Sequence, residues 1–575
     1  MKRFSLVLAV CVLAAACNRG ESKEGPPPVP PKAPPAPSAP AAPIEGMAKI
    51  DQNAILERIK VLASDEFEGR KPGTKGEDLT VKYLVDESKK LGLKPGNPDG
   101  TYIQKVPLVG MQSAEAQPFT VTKGSQKETF KWGDDIVPWT KRVTDTASIN
   151  NSDMVFVGYG VTAPEYQWDD FKNVDVKGKT IVVLINDPQV PVAGDASKLD
   201  DKLFNGKAMT YYGRWTYKFE EGARRGAAGI IIVHETGPAG YPFGVVRGNL
   251  TEKFDVVTKN KNMDRAAIEA WVTLDVAKKL FTMAGQDFDD LKKKALTKDF
   301  QPVPLGLKAS LGVKNTIRTI DSQNVVAKVE GSDPKLRDEY VVYSSHWDHL
   351  GICGEVKGDK ICNGALDNAS GTAALLEIAN GFMHVDPKPK RSILFLWVTA
   401  EEQGLLGSLY YATNPLYPLD KTVANINIDG VNQWGKTKDV TVVGMGASDL
   451  DDVLRDAAQA QGRTLTPDPE SDKGFYYRSD HFNFAKVGVP ALYTDTGENF
   501  EGKDAAYSKS KRDEYTNDDY HKPSDQIKPD WDLSGAAQDA ELLMLVGYRV
   551  ANADKIPEWK PGNEFKARRD AMMKR

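Results

Sequence analysis

The 575-residue chain has room for two to four domains of roughly 150 residues each. Its 40% hydrophobic and 27% charged content is that of a globular protein with sizeable cores. A formal net charge of -5 is close to balance for this length and excludes a dedicated nucleic-acid surface.

The chain opens on Lys2 and Arg3, and an apolar run from Phe4 to Ala16 ends in three alanines before Cys17. The run is too short to span a bilayer as a mature helix, so residues 1–17 read as a secretory signal; a short membrane anchor is the alternative. Small residues ahead of a cysteine resemble a bacterial lipobox, with Cys17 as the acylated residue, although Ala14 stands where Leu is commoner. This reading implies an exported protein, lipid-anchored at a bacterial cell envelope, in the periplasm or at the outer membrane. Residues 18–46 are dominated by Pro and Ala, cannot bury enough apolar area to fold, and are expected to form an extended tether. Of the four cysteines, Cys11 leaves with the signal and Cys17 carries lipid. Cys353 and Cys362 remain as a candidate disulfide; zinc ligation is the weaker reading, because their spacing matches no common Cys-based zinc pattern.

Helical spacing over 54–62 puts Ile55, Ile59 and Leu62 on one side, and the pattern returns over 79–91 before Gly92. Between them lies SDEFEGRKPGTKGE, rich in turn formers and charges. From about Ser152 to Leu311, MVFVGYGV and TIVVLIND read as strands, GARRGAAGIIIVHE as a helix end feeding a buried strand, and WVTLDVAKKLF as strand and helix. From Asn324 a second series begins. Strands are expected at VVAKVE, YVVYSS, SILFLWVTA, TVANINID, DVTVVGM and VPALYT, and helices at GTAALLEIANGF, DDVLRDAAQAQ and SGAAQDAELLMLVGYRVA. The apolar run Ile393–Val398 suits a sheet covered on both faces. The class is α/β, and no short-period repeat interrupts it.

Polar residues come directly after these strands, where functional groups of open α/β sheets collect. In SSHWDHLG, His346 ends a strand; an imidazole there is a good zinc ligand, and Asp348 can accept its other ring N–H, although a lone strand-end His is more often structural. Asp367 sits ahead of a helix in NGALDNASGTAALLEIA and can be a helix cap or, with its two oxygens, a bridge between two cations. Glu401 and Glu402 end a very apolar strand; they are either a solvated strand end or a metal ligand beside a general base. Asp429 ends another strand and His521 lies in a polar loop. Of the other histidines, His349 is placed to line the same pocket, and His234 and His384 are expected to serve structure or solvent.

In order, His-x-Asp, Asp-Asn-x-Ser-Gly, Glu-Glu-x-Gly-Leu-x-Gly-Ser, Asp, Ser-Asp-His and Tyr-His resemble the co-catalytic di-zinc aminopeptidases, a family that includes glutamate carboxypeptidase and the transferrin receptor ectodomain. The resemblance covers roughly residues 50–140 and 320–550. It implies a zinc exopeptidase fold, a mixed central sheet flanked by helices, and two zinc ions per chain, with other divalent ions possible. His346, Asp429, Glu402 and His521 match terminal ligands, Asp367 the bridging carboxylate, Glu401 the general base and Asp348 the partner of His346. Ser479, Asp480 and His481 match a motif that supports the site or touches substrate. Leu366 stands where some members carry a second Asp. VGYGV, TIVVLINDP and KFEEGARRGAAGIIIVHE resemble an inserted, mostly-β protease-associated domain that walls the cleft. The expected organisation is a first peptidase segment at 47–140, the insert at 141–315, a second peptidase segment at 316–555 and a charged tail at 556–575.

The activity implied is removal of N-terminal residues from peptides by a monomer or dimer. Alternatives are a carboxypeptidase or dipeptidase, for which Arg478 is a candidate contact to a substrate carboxylate; a single-zinc glutaminyl cyclase-like enzyme, which has no need of His346; and a catalytically inactive binding ectodomain.

Overall fold

The computed structural model of the protein describes residues 45–574. The expected signal, the Cys17 site and nearly all of the tether lie outside the described residues. No helix among the described residues is long and apolar enough to cross a membrane. After a turn at Glu45–Lys49, α1 (Gln52–Leu62) is capped by Asp51, whose side chain accepts from the Asn53 amide. It buries Ile55, Ile59 and Leu62, as their spacing predicts. α2 (Lys75–Lys90) is capped by Thr74.

Next come β1 (Ile103–Lys123) and a wing of sheet made by β2 (Ile136–Trp139), β3 (Thr146–Phe156), β4 (Thr180–Leu184), β5 (Gly229–Val233) and β6 (Ile268–Val272). Strands β3 to β6 run parallel in sequence order. Such connections need crossovers, and α3 (Trp215–Arg224) supplies the one between β4 and β5, while α4 (Leu274–Ala284) comes after β6. The region read as a mostly-β insert therefore carries helices as well as its sheet. β7 (Val303–Val329) is 27 residues long. The expected boundary at 315 falls inside it, because one strand serves two wings.

The second wing contains β8 (Tyr340–His346), the hairpin β9 (Gly351–Val356) and β10 (Asp359–Cys362), α5 (Gly371–His384), β11 (Ser392–Val398), α6 (Leu406–Thr413) and β12 (Thr422–Asn427). It continues through β13 (Asp439–Val443), α7 (Leu450–Ala460), β14 (Thr464–Pro467), α8 (His481–Lys486), β15 (Ala491–Asp495), α9 (Tyr507–Asp518), α10 (Ser534–Asn552) and α11 (Lys566–Met573). The early residues of β7 pair with β3 and its last residues with β11, so the main path of a 16-stranded sheet runs β14-β13-β15-β12-β8-β11-β7-β3-β4-β5-β6-β2.

Strands β12, β8 and β11 are parallel neighbours, and every residue in them is buried. Helices α5 and α10 pack against each other, and both contact β8. Parallel strands side by side bring their carboxyl ends to one edge, which is where the polar residues lie. The hairpin β9–β10 is closed by a Cys353–Cys362 disulfide with 5.9 Å between Cα atoms, the pairing expected from the cysteine count. The charged stretch that begins at 556 is anchored at Trp559. Trp559 is buried and its indole donates to the Gly488 carbonyl at 2.9 Å.

Candidate metal centre

Three strand ends build one side of the site. His346 is the last residue of β8, Asp429 lies two residues past β12, and Glu401 and Glu402 lie just past β11. Register places Ser344 beside Asn427 and His346 beside Val398, so these ends are adjacent. Asp367 comes from the irregular turn Ala365–Ser370 that starts α5, and His521 from the loop after α9.

The side chains meet as two half-sites around one carboxylate. His346 Nε2 lies 3.1 Å from Asp429 Oδ1 and 3.4 Å from Asp367 Oδ1. His521 Nε2 lies 3.3 Å from Asp367 Oδ2 and 3.0 Å from Glu402 Oε2. Asp367 thus offers one oxygen to each half. Glu401 Oε2 stands 4.0 Å from His346 Nε2, beside the first half. All six candidate residues named for ligation and catalysis converge here.

Electrostatics describe a site that demands cations. Burial alone would lower the His346 imidazole, but Asp429, Glu401 and Asp367 hold it well above its ordinary value. His521 is likewise held well above, against its burial, by Glu402 and Asp367. Burial pushes the Glu401 carboxyl well up; His346 opposes, and Asp429 and Glu402 add to the rise. Burial would also raise Glu402, yet His521 and His349 hold it well below the usual carboxylate range. The His349 Nε2 is buried without a hydrogen-bond partner among the described residues. Four carboxylates, convergent imidazoles and one unpartnered ring nitrogen form a donor set that fits divalent metal ions.

Among the supporting residues, Asp348 differs from expectation. Asp348 does not take the second ring nitrogen of His346; that Nδ1 faces the backbone carbonyl of Asp348 at 3.1 Å, with the carboxylate at 3.8 Å. The Asp348 carboxylate instead accepts from the amides of Glu401 at 3.0 Å and Glu402 at 3.4 Å. It orients the acidic pair at the end of β11. Ser479 donates to Asp429 Oδ2 at 2.6 Å and accepts from Asn427 at 2.7 Å. Asp480 accepts from Ser408 at 2.6 Å, and burial raises its carboxyl to about 7. His481 is a packing residue between Tyr476 and Tyr493, held neutral by burial. Arg478 lies over the Phe475 ring.

Two residues carry more than their sequence context signalled. His349 Nδ1 is 2.5 Å from Glu402 Oε1, the oxygen that does not face His521. With Asp367 and Glu402 it forms a second set of convergent donor atoms beside the set His346, Glu401 and Asp429. His521 approaches both Glu402 and Asp367, so two imidazoles stand at this half of the site. Asn368 accepts from the Gly430 amide at 2.9 Å and so ties the bridging turn to the Asp429 turn; its place next to Asp367 is the only cue in the sequence. His234 bonds the Tyr241 carbonyl and His384 is exposed, as expected of them.

Residues 324–545 match the family described as Peptidase family M28. A stretch of 132 residues is 36% identical to the aminopeptidase NAALADL1 of Mus musculus and covers 22% of this chain and 16% of that protein. A stretch of 123 residues is 36% identical to a probable zinc metalloprotease of Pyrenophora teres f. teres, covering 21% of this chain and 25% of that protein. The matched stretches thus span a quarter or less of the length of these relatives. Among solved structures, an aminopeptidase from Aneurinibacillus sp. strain AM-1 aligns over 89% of this chain and 96% of its own, with a TM-score of 0.48 and 17% identity.

Proposed function

We propose, for a chain whose residues 324–545 match peptidase family M28, that it is a zinc exopeptidase removing N-terminal residues from peptides, with Glu401 as general base. The observation that carries this reading is the shared carboxylate: Asp367 turns one oxygen to His346 and the other to His521, at 3.4 and 3.3 Å. A carboxylate with an imidazole at each oxygen suits two ions, one held by His346, Asp429 and Asp367 and the other by His521, Glu402 and Asp367. Such ions, when bound, polarise a scissile carbonyl and stabilise the charge developing on its oxygen.

The chain's own residues do the rest. Glu401 Oε2 stands 4.0 Å from His346 Nε2, beside the first half-site, and burial raises its affinity for protons, which suits a general base. It takes the proton of the attacking water and returns it to the leaving amine. Asp348 fixes the Glu401 and Glu402 main chain, so base and ligand keep their spacing. Ser479 locks the rotamer of Asp429. The free N-terminus of a peptide is the substrate group that the resemblance to the di-zinc aminopeptidases implies. Export on a Cys17 lipid anchor and a cleft-walling role for the insert complete the reading.

One observation favours the carboxypeptidase or dipeptidase alternative. Arg214 of the insert and Arg478 each bury an Nε with no partner among the described residues. Burial lowers the Arg214 guanidinium to about 10, and Arg478 adds to the effect. Two repelling guanidiniums suit a substrate carboxylate. A panel of aminoacyl, N-blocked and C-amidated peptides, with and without chelator, separates the readings. Peptides with free amines are expected to be cleaved, and chelator is expected to stop their release. Cleavage of N-blocked peptides alone would overturn the aminopeptidase assignment.

A further inference from the structure

The turn SDEFEGRKPGTKGE between α1 and α2 takes no direct role in the chemistry above, yet it delivers a buried charge to the metal centre. Arg70 is 1% exposed. Its guanidinium is spent on backbone carbonyls: Nε donates to Trp347 at 2.9 Å, Nη1 to Leu62 at 2.7 Å and Asn363 at 2.6 Å, and Nη2 to Gly364 at 2.8 Å. These acceptors are not arbitrary. Trp347 lies between His346 and Asp348, and Asn363 and Gly364 lead into Asp367. Gly69, at φ 65°, lets the turn press against the disulfide hairpin, since a Cβ there would meet the Cys362 carbonyl at 2.3 Å.

The opposite side of the same strap is held by one aspartate. Asp525 Oδ1 accepts from the Leu366 amide at 3.0 Å and Oδ2 from the Asp367 amide at 3.1 Å, while its main-chain carbonyl accepts from Ala365 at 3.1 Å. Residues 363 to 367 therefore have carbonyls anchored by a residue far upstream and amides anchored by one far downstream. A loop held only by its own turns would be free to shift the Asp367 carboxylate, and a shift of a fraction of an ångström changes a shared metal ligand.

We propose that Arg70 is a positioning residue for the metal centre: by bonding at once to the chain after His346 and the chain before Asp367, it sets the position of the shared carboxylate relative to His346, with Asp525 holding the amides of the same strap. The proposal rests on the two-ion reading given above. A guanidinium is suited to the task because its fixed fork reaches several carbonyls at once, whereas a lysine ammonium is a single point on a flexible stem.

The test uses the purified full chain with Arg70→Lys and Asp525→Asn, compared with the unaltered protein. Zinc affinity is measured by competition with a chromophoric chelator, the Co2+-loaded protein is followed by its visible absorption, and the metal-free protein by circular dichroism and melting. Arg70→Lys is expected to keep the far-ultraviolet spectrum, to weaken zinc binding about 10- to 100-fold, to alter the Co2+ bands, and to lower kcat with KM little changed. Asp525→Asn, which keeps the side chain's shape, is expected to move the same readouts less, and it decides the matter should the lysine variant fail to fold. Lower melting with unchanged zinc affinity and unchanged Co2+ bands would reduce Arg70 to a fold-supporting residue and overturn the proposal. An unaltered protein that binds no zinc would instead overturn the two-ion reading itself.

Discussion

The two halves of the metal centre are built on different supports. His346 and Asp429 sit at the ends of adjacent buried strands; His346 is 1% exposed and Asp429 is locked by Ser479. His521 sits in a loop at φ 59°, its side chain 36% exposed, its ring stacked on Tyr520 at 3.8 Å and its carbonyl against Cys362. The first half inherits its geometry from the sheet. The second depends on a loop, an aromatic neighbour and a disulfide-closed hairpin. The contrast teaches that one chemical unit can have a rigid and an adjustable side, joined by Asp367.

The strongest way to break this picture is Glu401→Gln. It removes the base while leaving both halves intact, so kcat should fall about 10²- to 10⁴-fold with metal content unchanged. Retained turnover would remove Glu401 from the mechanism. The comparison is sharpened by His346→Ala against His521→Ala. Each should lose one ion by elemental analysis. Only the buried His346 should also destabilise the metal-free protein, by about 1–3 kcal/mol, whereas the more exposed His521 should leave its melting nearly unmoved.

Cys353→Ser with Cys362→Ser opens a hairpin whose cysteines are nine residues apart, at a cost of about 2–3 kcal/mol by loop entropy. Zinc affinity should drop in the His521 half and hold in the His346 half; equal loss in both would erase the distinction. A separate effect lies at Glu77, which is not a ligand and accepts from Ser322 at 2.8 Å and from the Gly73 amide at 2.5 Å. Burial raises its carboxyl from 4.5 to about 7. The stability this contributes is full below pH 4.5 and is lost as pH rises through about 7. Glu77→Gln, which cannot ionise, should therefore gain in melting temperature relative to the unaltered protein between about pH 5 and pH 8. A difference that stays constant over that range would refute the buried acid.

The strand-end residues are legible in the sequence because apolar runs such as Ile393–Val398 announce buried parallel strands, and the residues just after such a strand face the sheet's carboxyl edge. Asp429 and His521 are legible chiefly through family resemblance, His521 because nothing in a polar loop predicts where it folds back. The role of Asp348 is misread from spacing alone, which places its carboxylate on His346, while in the fold it meets two amides 53 and 54 residues away. Arg70 and Asp525 are invisible as site residues, since their partners are backbone groups far away in the chain, with no side-chain pattern to mark them. The shared strand β7 hides for the same reason: only pairing reveals that one run serves two wings.

The central claim is that Asp367 is shared between two ions, and direct counting tests it. Metal-free protein titrated with zinc in a calorimeter should bind two ions per chain, and Asp367→Ala should weaken both sites together. A single ion in the unaltered protein, or an Asp367→Ala variant that loses one site and keeps the other at full affinity, would contradict it.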